Sequence, residues 1–161
     1  MRAALEAEFV DFVQAASPKL LTTAWMLTGD PGAAEELVQE TLERVYVRWG
    51  RLRSGSPAAY ARRVLTNLHT DTWRRRRREV VTDTMPEVAA HRSSAETVDL
   101  VRALQQLPTR ERECVVLRHY LDLSERDAAE ALGVSVGTVK SSTSRGLAAL
   151  RTILLEEGTH V

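Results

Sequence analysis

Trp73-Arg74-Arg75-Arg76-Arg77-Arg78 places five cations in succession, and Asn67, His69 and Asp71 precede them on the same helical stretch. Cations favour a helix C-terminus through its dipole, so a solvated helix end is the plainest account of such a run. Five arginines in a row cover every side of a helix, however, and exceed what that effect needs. The pattern suits phosphate contacts beside a surface that reads exposed bases.

A second pattern runs from Ser124 to Arg151. Ser124 can cap a helix whose small apolar face is Ala128, Ala129 and Leu132, and Gly133 ends it because glycine takes the left-handed conformation cheaply. Val134 plugs the turn. A second helix opens near Ser135, with Val136, Val139, Leu147 and Leu150 facing inward and Thr138, Lys140, Ser141, Ser142, Ser144 and Arg145 facing out. Short helix, glycine turn and polar second helix form the layout of a helix-turn-helix, which sets its second helix in DNA. An αα-hairpin within an unrelated bundle is the alternative.

A third group, Glu36, Gln39, Glu40 and Glu43, lies opposite the apolar positions Val38, Leu42, Val45 and Trp49 of one helix. Taken alone, it reads as an ordinary wet face.

Catalysis finds no comparable pattern. His69, His91, His119 and His160 are far apart, and the chain has no HExxH, glycine-rich phosphate loop or nucleophile elbow. Glu35 and Glu36 are adjacent and so point in different directions. Cys114, among Val115, Val116 and Leu117, reads as a packed small residue. No catalytic residue, metal site or cofactor is expected. A single cysteine excludes an intramolecular disulfide and a Cys-rich zinc site, and it fits a reducing compartment. With no signal peptide or long apolar run, the expectation is a soluble cytoplasmic protein without membrane insertion.

These groups must be held by helices. Pro18 precedes an apolar stretch, Leu20 to Leu27, which Gly29-Asp-Pro-Gly32 breaks. Asp30 caps the next helix with Pro31 in its first turn, and that helix runs to about Trp49. After a break at Arg53 to Pro57, a helix from Ala58 to Arg78 carries Tyr60, Val64, Leu65, Leu68 and Trp73. Residues 79 to 94 lose periodicity and read as a linker. Beyond them Val98, Val101, Leu104 and Leu107 form a helical face ended by Pro108, and Thr109 can cap the following helix. The expected fold is all-α: two small helical domains, residues 1–78 and 95–161, joined by a flexible linker. At 161 residues and 43% hydrophobic content each can bury a core, mostly aliphatic because aromatics are only 5%.

Net charge is zero, whereas a free-standing DNA binder usually carries excess Lys and Arg. The charge is sorted instead: acids dominate up to Glu43, and Arg51 to Arg78 holds nine arginines against the single acid Asp71. Such sorting suggests one face for a basic partner and another for nucleic acid.

Taken together, the motifs resemble those of the extracytoplasmic-function sigma factors of bacterial RNA polymerase, over nearly the whole chain. Glu36-Leu-Val-Gln-Glu-Thr41 resembles that family's D/E-L-x-Q-E-T/A segment, which binds the β′ clamp helices of core polymerase. The resemblance therefore implies that Glu36, Gln39, Glu40 and Glu43 are charge-complementary partner contacts rather than a wet face. The stretch from Tyr60 to Arg75 resembles W-L-x-x-I-A-x-N-x-x-x-D-x-x-R-R, the segment that recognises and melts the −10 promoter element. By that likeness Tyr60, Asn67, Asp71, Trp73, Arg74 and Arg75 face −10 DNA. Asn67 would lie against a flipped base, Arg74 and Arg75 would hold phosphate, and the loop from Gly50 to Pro57 would capture the base. Leu107-Pro108, Arg112 and Leu117-Arg118, with the helix-turn-helix, resemble region 4, which reads the −35 element as duplex and meets the β flap. Arg118, Ser135, Thr138, Lys140, Ser141, Ser144 and Arg145 are its implied contacts, and an anti-sigma protein is a further candidate partner. Where many members carry arginine and alanine this chain has Ser142 and Gly146. A glycine costs a helix interior about 0.5 to 1 kcal/mol, so a looser recognition helix is expected.

The function implied is that of a dissociable initiation factor that binds core polymerase and directs it to a promoter. The alternative is a free-standing helix-turn-helix transcription regulator with an N-terminal partner-binding domain, against which the zero net charge counts.

Overall fold

The computed structural model describes residues 1–78 and 94–158, with side chains for all of these except 73–78. Among the described residues the regular elements are all helical. They are α1 (Arg2–Thr28), α2 (Pro31–Val47), the single turn α3 (Trp49–Leu52), α4 (Pro57–Arg78), α5 (Ala95–Gln105), α6 (Thr109–Val115), α7 (Glu125–Leu132) and α8 (Val136–Gly158). A π-helical turn over Val116–Tyr120 continues α6. The linker expected at residues 79 to 94 lies outside the described residues apart from Ser94, whose hydroxyl caps α5 by accepting from the Thr97 N–H.

The first helix differs from expectation. Pro18 does not precede it but sits inside a 27-residue helix that begins at Arg2. A proline normally breaks a helix interior by removing a donor and crowding the carbonyl four residues back. Tertiary packing outweighs that cost, because the N-terminal half has an apolar side of its own in Leu5, Phe9, Phe12 and Ala16. Phe9 and Phe12 stack on Trp49 with centroids 5.4 and 5.3 Å away.

The end of α1 and the start of α2 follow local chemistry. Gly29 caps α1 at φ 72°, and the Asp30 carboxylate accepts from the Gly32 N–H at 3.0 Å with Pro31 in the first turn. Helix α2 buries Ala34, Leu37, Val38, Thr41 and Val45, and α4 lays Ala61, Val64, Leu65 and Leu68 against α1 and α2.

In the second unit Thr109 is the first residue of α6 rather than its cap, and its hydroxyl accepts from Arg112. Ser124 caps α7 by accepting from the Asp127 N–H, and Gly133 ends α7 at φ 68°, as the sequence pattern requires. On α8 two expectations invert. Ser142 is buried, and Val136 is exposed. A Cβ added to Gly146 would lie 2.7 Å from Val115 Cγ2 and 3.1 Å from the Glu111 carbonyl, so α6 and α8 touch at this glycine. Gly146 therefore tightens the packing behind the helix instead of loosening it.

The units pack on each other, α1 against α5 and α4 against α7. Gln105 Nε2 donates to the Met26 carbonyl at 2.9 Å, while its Oε1 accepts from Arg112 Nη1 at 2.6 Å. Gly29 makes room for this, since a Cβ there would fall 2.5 Å from Gln105 Cδ.

Candidate partner and nucleic-acid interfaces

The acidic helix comes out as its period dictates. With Leu37, Val38, Thr41 and Val45 inward, Glu36, Gln39, Glu40 and Glu43 are exposed. Among the described residues their hydrogen bonds are within α2: Arg44 Nη2 donates to Glu40 at 3.0 Å and Gln39 Nε2 to Glu43 at 3.5 Å. Such exposed i,i+4 pairs are worth a few tenths of a kcal/mol, so an incoming cation can displace them.

Beside this face runs a groove of about 1060 Å³ between α1 and α2, lined by Phe9, Val13, Leu21, Val38, Leu42 and Tyr46, with Glu35, Gln39 and Glu43 also on its walls. Sequence reasoning missed it. The signal was Val45-Tyr46-Val47: three consecutive apolar residues on a helix cannot all face one core, and Tyr46 and Val47 are 50% and 82% exposed.

On the other flank Glu36 and Glu40 share a cleft of about 170 Å³ with His69 of α4 and Arg112 of α6. His69 was expected on the nucleic-acid side but is only 7% exposed, because with Leu65 and Leu68 it completes the inward i, i+3, i+4 stripe. Its Nε2 has no hydrogen-bond partner among the described residues. Burial first, and the nearby Arg112 charge second, hold its pKa down to about 4. The imidazole is thus neutral near pH 7. Arg112 is itself pushed below the usual guanidinium range by burial.

Asn67 and Asp71, one turn apart, are exposed on α4. Tyr60 is half-buried, with the Arg48 guanidinium 5.8 Å from its ring centroid. Trp73, Arg74 and Arg75 belong to α4, but their side chains lie outside the described ones, as do those of Arg76 to Arg78. In the loop before α4, Arg53, Ser54, Gly55 and Ser56 are exposed.

The helix-turn-helix presents Lys140, Ser141, Ser144 and Arg145 outward. Both cations already have acids beside them: Lys140 Nζ is 3.6 Å from Glu125 and Arg145 Nε is 3.5 Å from Glu111. Ser135 caps α8, accepting from the Thr138 N–H at 3.1 Å, and the two hydroxyls are 2.9 Å apart. Arg118 turns inward, donating to the Leu123 carbonyl and lying 3.8 Å from Glu125, so it braces the entry to α7. Cys114 is buried beside Ser142, and burial pushes its thiol pKa up. Among the described residues no group of three or more His, Cys, Asp or Glu could hold a metal ion, and no helix is long and apolar enough to cross a membrane.

Comparison with known proteins matches two segments of the chain. Residues 12–79 match the model of sigma-70 region 2 and residues 97–150 that of sigma-70 region 4. The RNA polymerase sigma-E factor of Streptomyces avermitilis is 40% identical over 149 residues, covering 89% of this chain and 83% of that one. The ECF RNA polymerase sigma factor EcfG of Rhodopseudomonas palustris is 33% identical over 155 residues, covering 92% and 86%. Among solved structures, the sigma factor RpoE of Bartonella quintana, in complex with the anti-sigma factor NepR, superposes with a TM-score of 0.72 at 29% identity, covering 91% of this chain and 96% of that one.

Proposed function

The chain belongs to the sigma-70 family of RNA polymerase sigma factors, in its extracytoplasmic-function group, and from that premise we propose which of its surfaces carry each step of initiation. It is an alternative sigma factor: it binds core RNA polymerase and promoter DNA and directs transcription initiation. Its place of work is the cytoplasm, beside the polymerase, and no chemical step is assigned to it.

Glu36, Gln39, Glu40 and Glu43 dock on the arginine-bearing clamp helices of the β′ subunit. The observation that carries this is the exposed acidic side of α2, whose pairs are local and weak. Asn67 and the loop before α4 receive a flipped −10 base. An exposed amide that can donate and accept, one turn from Asp71 and ahead of the arginine run, supports that role. Tyr60 and Asp71 flank the strand, and Trp73, Arg74 and Arg75 hold bases and backbone. Lys140, Ser141, Ser144 and Arg145 meet the −35 duplex, with Ser135 and Thr138 shaping the helix end that enters the groove. The second unit also meets the β flap, and an anti-sigma protein regulates access to these surfaces.

Reading both elements requires the two units to part. The two elements are separate stretches of the promoter, whereas α4 packs directly on α7.

Run-off transcription with purified core tests the strand-opening step. Asn67→Ala should keep core binding and the −35 preference but lose −10 selectivity and open complexes. A premelted −10 template should rescue the opening defect and leave the reading defect. Normal opening with an unchanged −10 preference would refute the role of Asn67.

A further inference from the structure

We infer that Glu8, on the N-terminal half of α1, is a positioning residue for −10 reading: through Arg53 it holds the loop between α3 and α4 in the shape that receives the flipped base. This rests on the role given to that loop under the proposed function.

The loop has little of its own to fix it. Arg53, Ser54, Gly55 and Ser56 are exposed, and the local bonds lie at its two ends: the Arg53 N–H to the Trp49 carbonyl and the Gly55 N–H to the Leu52 carbonyl, then the Ala59 N–H to the Ser56 hydroxyl and the Tyr60 N–H to the Ser56 carbonyl, which start α4. One tie reaches far beyond it. Arg53 Nε donates to Glu8 Oε2 and Arg53 Nη2 to Glu8 Oε1, both at 2.8 Å, across 45 residues of sequence. Two parallel bonds between planar groups set orientation as well as distance, which a single contact would not. Both groups register the bond: it lowers the Glu8 carboxyl and raises the Arg53 guanidinium.

The far end of the tie is rigid. Phe9 follows Glu8 directly, and its ring packs on Trp49 and Tyr46 with centroids 5.4 and 5.0 Å away, while Phe12 adds a second ring on Trp49. Trp49 opens α3 and is 7% exposed. The aromatic cluster thus locks α1 to the base of the loop, and the ion pair ties the loop's rising arm to the same helix. An exposed pair adds little stability, so its consequence is geometric. With its guanidinium held by Glu8, Arg53 is withheld from DNA phosphate, and Ser54-Gly55-Ser56 is the stretch left to meet a base.

The test is run-off transcription by holoenzyme on four templates that differ in the flipped −10 base. The wild type is compared with Glu8→Gln, Arg53→Gln, the exchange Glu8→Arg with Arg53→Glu, and the bulky loop variant Ser54→Leu with Ser56→Leu. Glu8→Gln and Arg53→Gln should each reduce discrimination among the four bases several-fold, with the −35 preference, core affinity and melting temperature unchanged. The exchange should recover it. Loss in Arg53→Gln but not in Glu8→Gln would mean that Arg53 touches DNA itself and would overturn the inference, as would wild-type discrimination in both or failure of the exchange. If the bulky loop variant also discriminates normally, the loop does not read the base and the premise falls with it. If that variant loses discrimination while Glu8→Gln keeps it, the inference alone is wrong.

Discussion

The outer faces of α2 and α8 are both polar sides of helices whose other side is buried, yet they are prepared for their partners in opposite ways. On α2 the charged groups pair within their own helix, Glu40 with Arg44 one turn on, and a broad apolar groove lies alongside. On α8 the cations Lys140 and Arg145 lie beside carboxylates from other helices, Glu125 of α7 and Glu111 of α6. In the roles proposed for them, the first face would meet a basic helix as it stands, whereas the second would exchange acids of neighbouring helices for phosphates or base edges. That difference, together with zero net charge, predicts an order: core polymerase first, promoter second. A chain with zero net charge has little long-range attraction to DNA to bring it there unaided.

Reversing charge on the ready face should have the largest effect. Glu36→Lys with Glu40→Lys should weaken binding to core polymerase by about 2 to 5 kcal/mol if the pairs formed are desolvated, read by fluorescence anisotropy of labelled chain against core. Unchanged affinity would remove the contrast between the two faces.

The cleft behind that face gives the next effect. His69 has its folded pKa lowered from 6.5 to about 4, so between those values the unfolded chain binds a proton that the folded chain refuses. Stability should therefore be unaffected above about pH 7 and fall as pH drops from 6.5 towards 4, by up to about 3 kcal/mol. Urea unfolding across this range should show the slope, and His69→Asn should flatten it. Because Arg112 adds to the depression of His69, the slope also reports whether the second unit stays docked there.

A smaller effect is expected behind α8. Gly→Ala normally helps a helix, but at Gly146 the new methyl would meet Val115 and the Glu111 backbone. Gly146→Ala should lower stability by about 1 to 3 kcal/mol, measured by thermal unfolding. A stabilised variant would mean that α8 is not held against α6 as closely as α2 is held in its own unit.

Local chemistry explains which features were legible from residue types. Asp30 with Pro31, Ser124 and Gly133 act within a turn of themselves, and each caps a helix where expected. Leu65 and Leu68 declared the buried side of α4 by spacing. What escaped depends on neighbours distant in sequence. Pro18 reads as a helix boundary until Phe9 and Phe12 find Trp49. Ser142 reads as an outward polar residue and Gly146 as a weak point until α6 crosses α8 there. The bond from Arg118 to the Leu123 carbonyl, which braces the entry to α7, depends on a turn that spacing does not show. His69 belongs to the inward stripe of α4 by spacing, but polarity alone placed it outside.

The most direct test of the ordering is titration of a labelled −35 promoter duplex with the free chain and with its complex with core polymerase, at matched salt. Weak binding by the free chain with little preference for sequence, and tight sequence-dependent binding by the complex, is the predicted result. Tight, sequence-specific binding by the free chain would contradict it and make the protein a DNA binder in its own right.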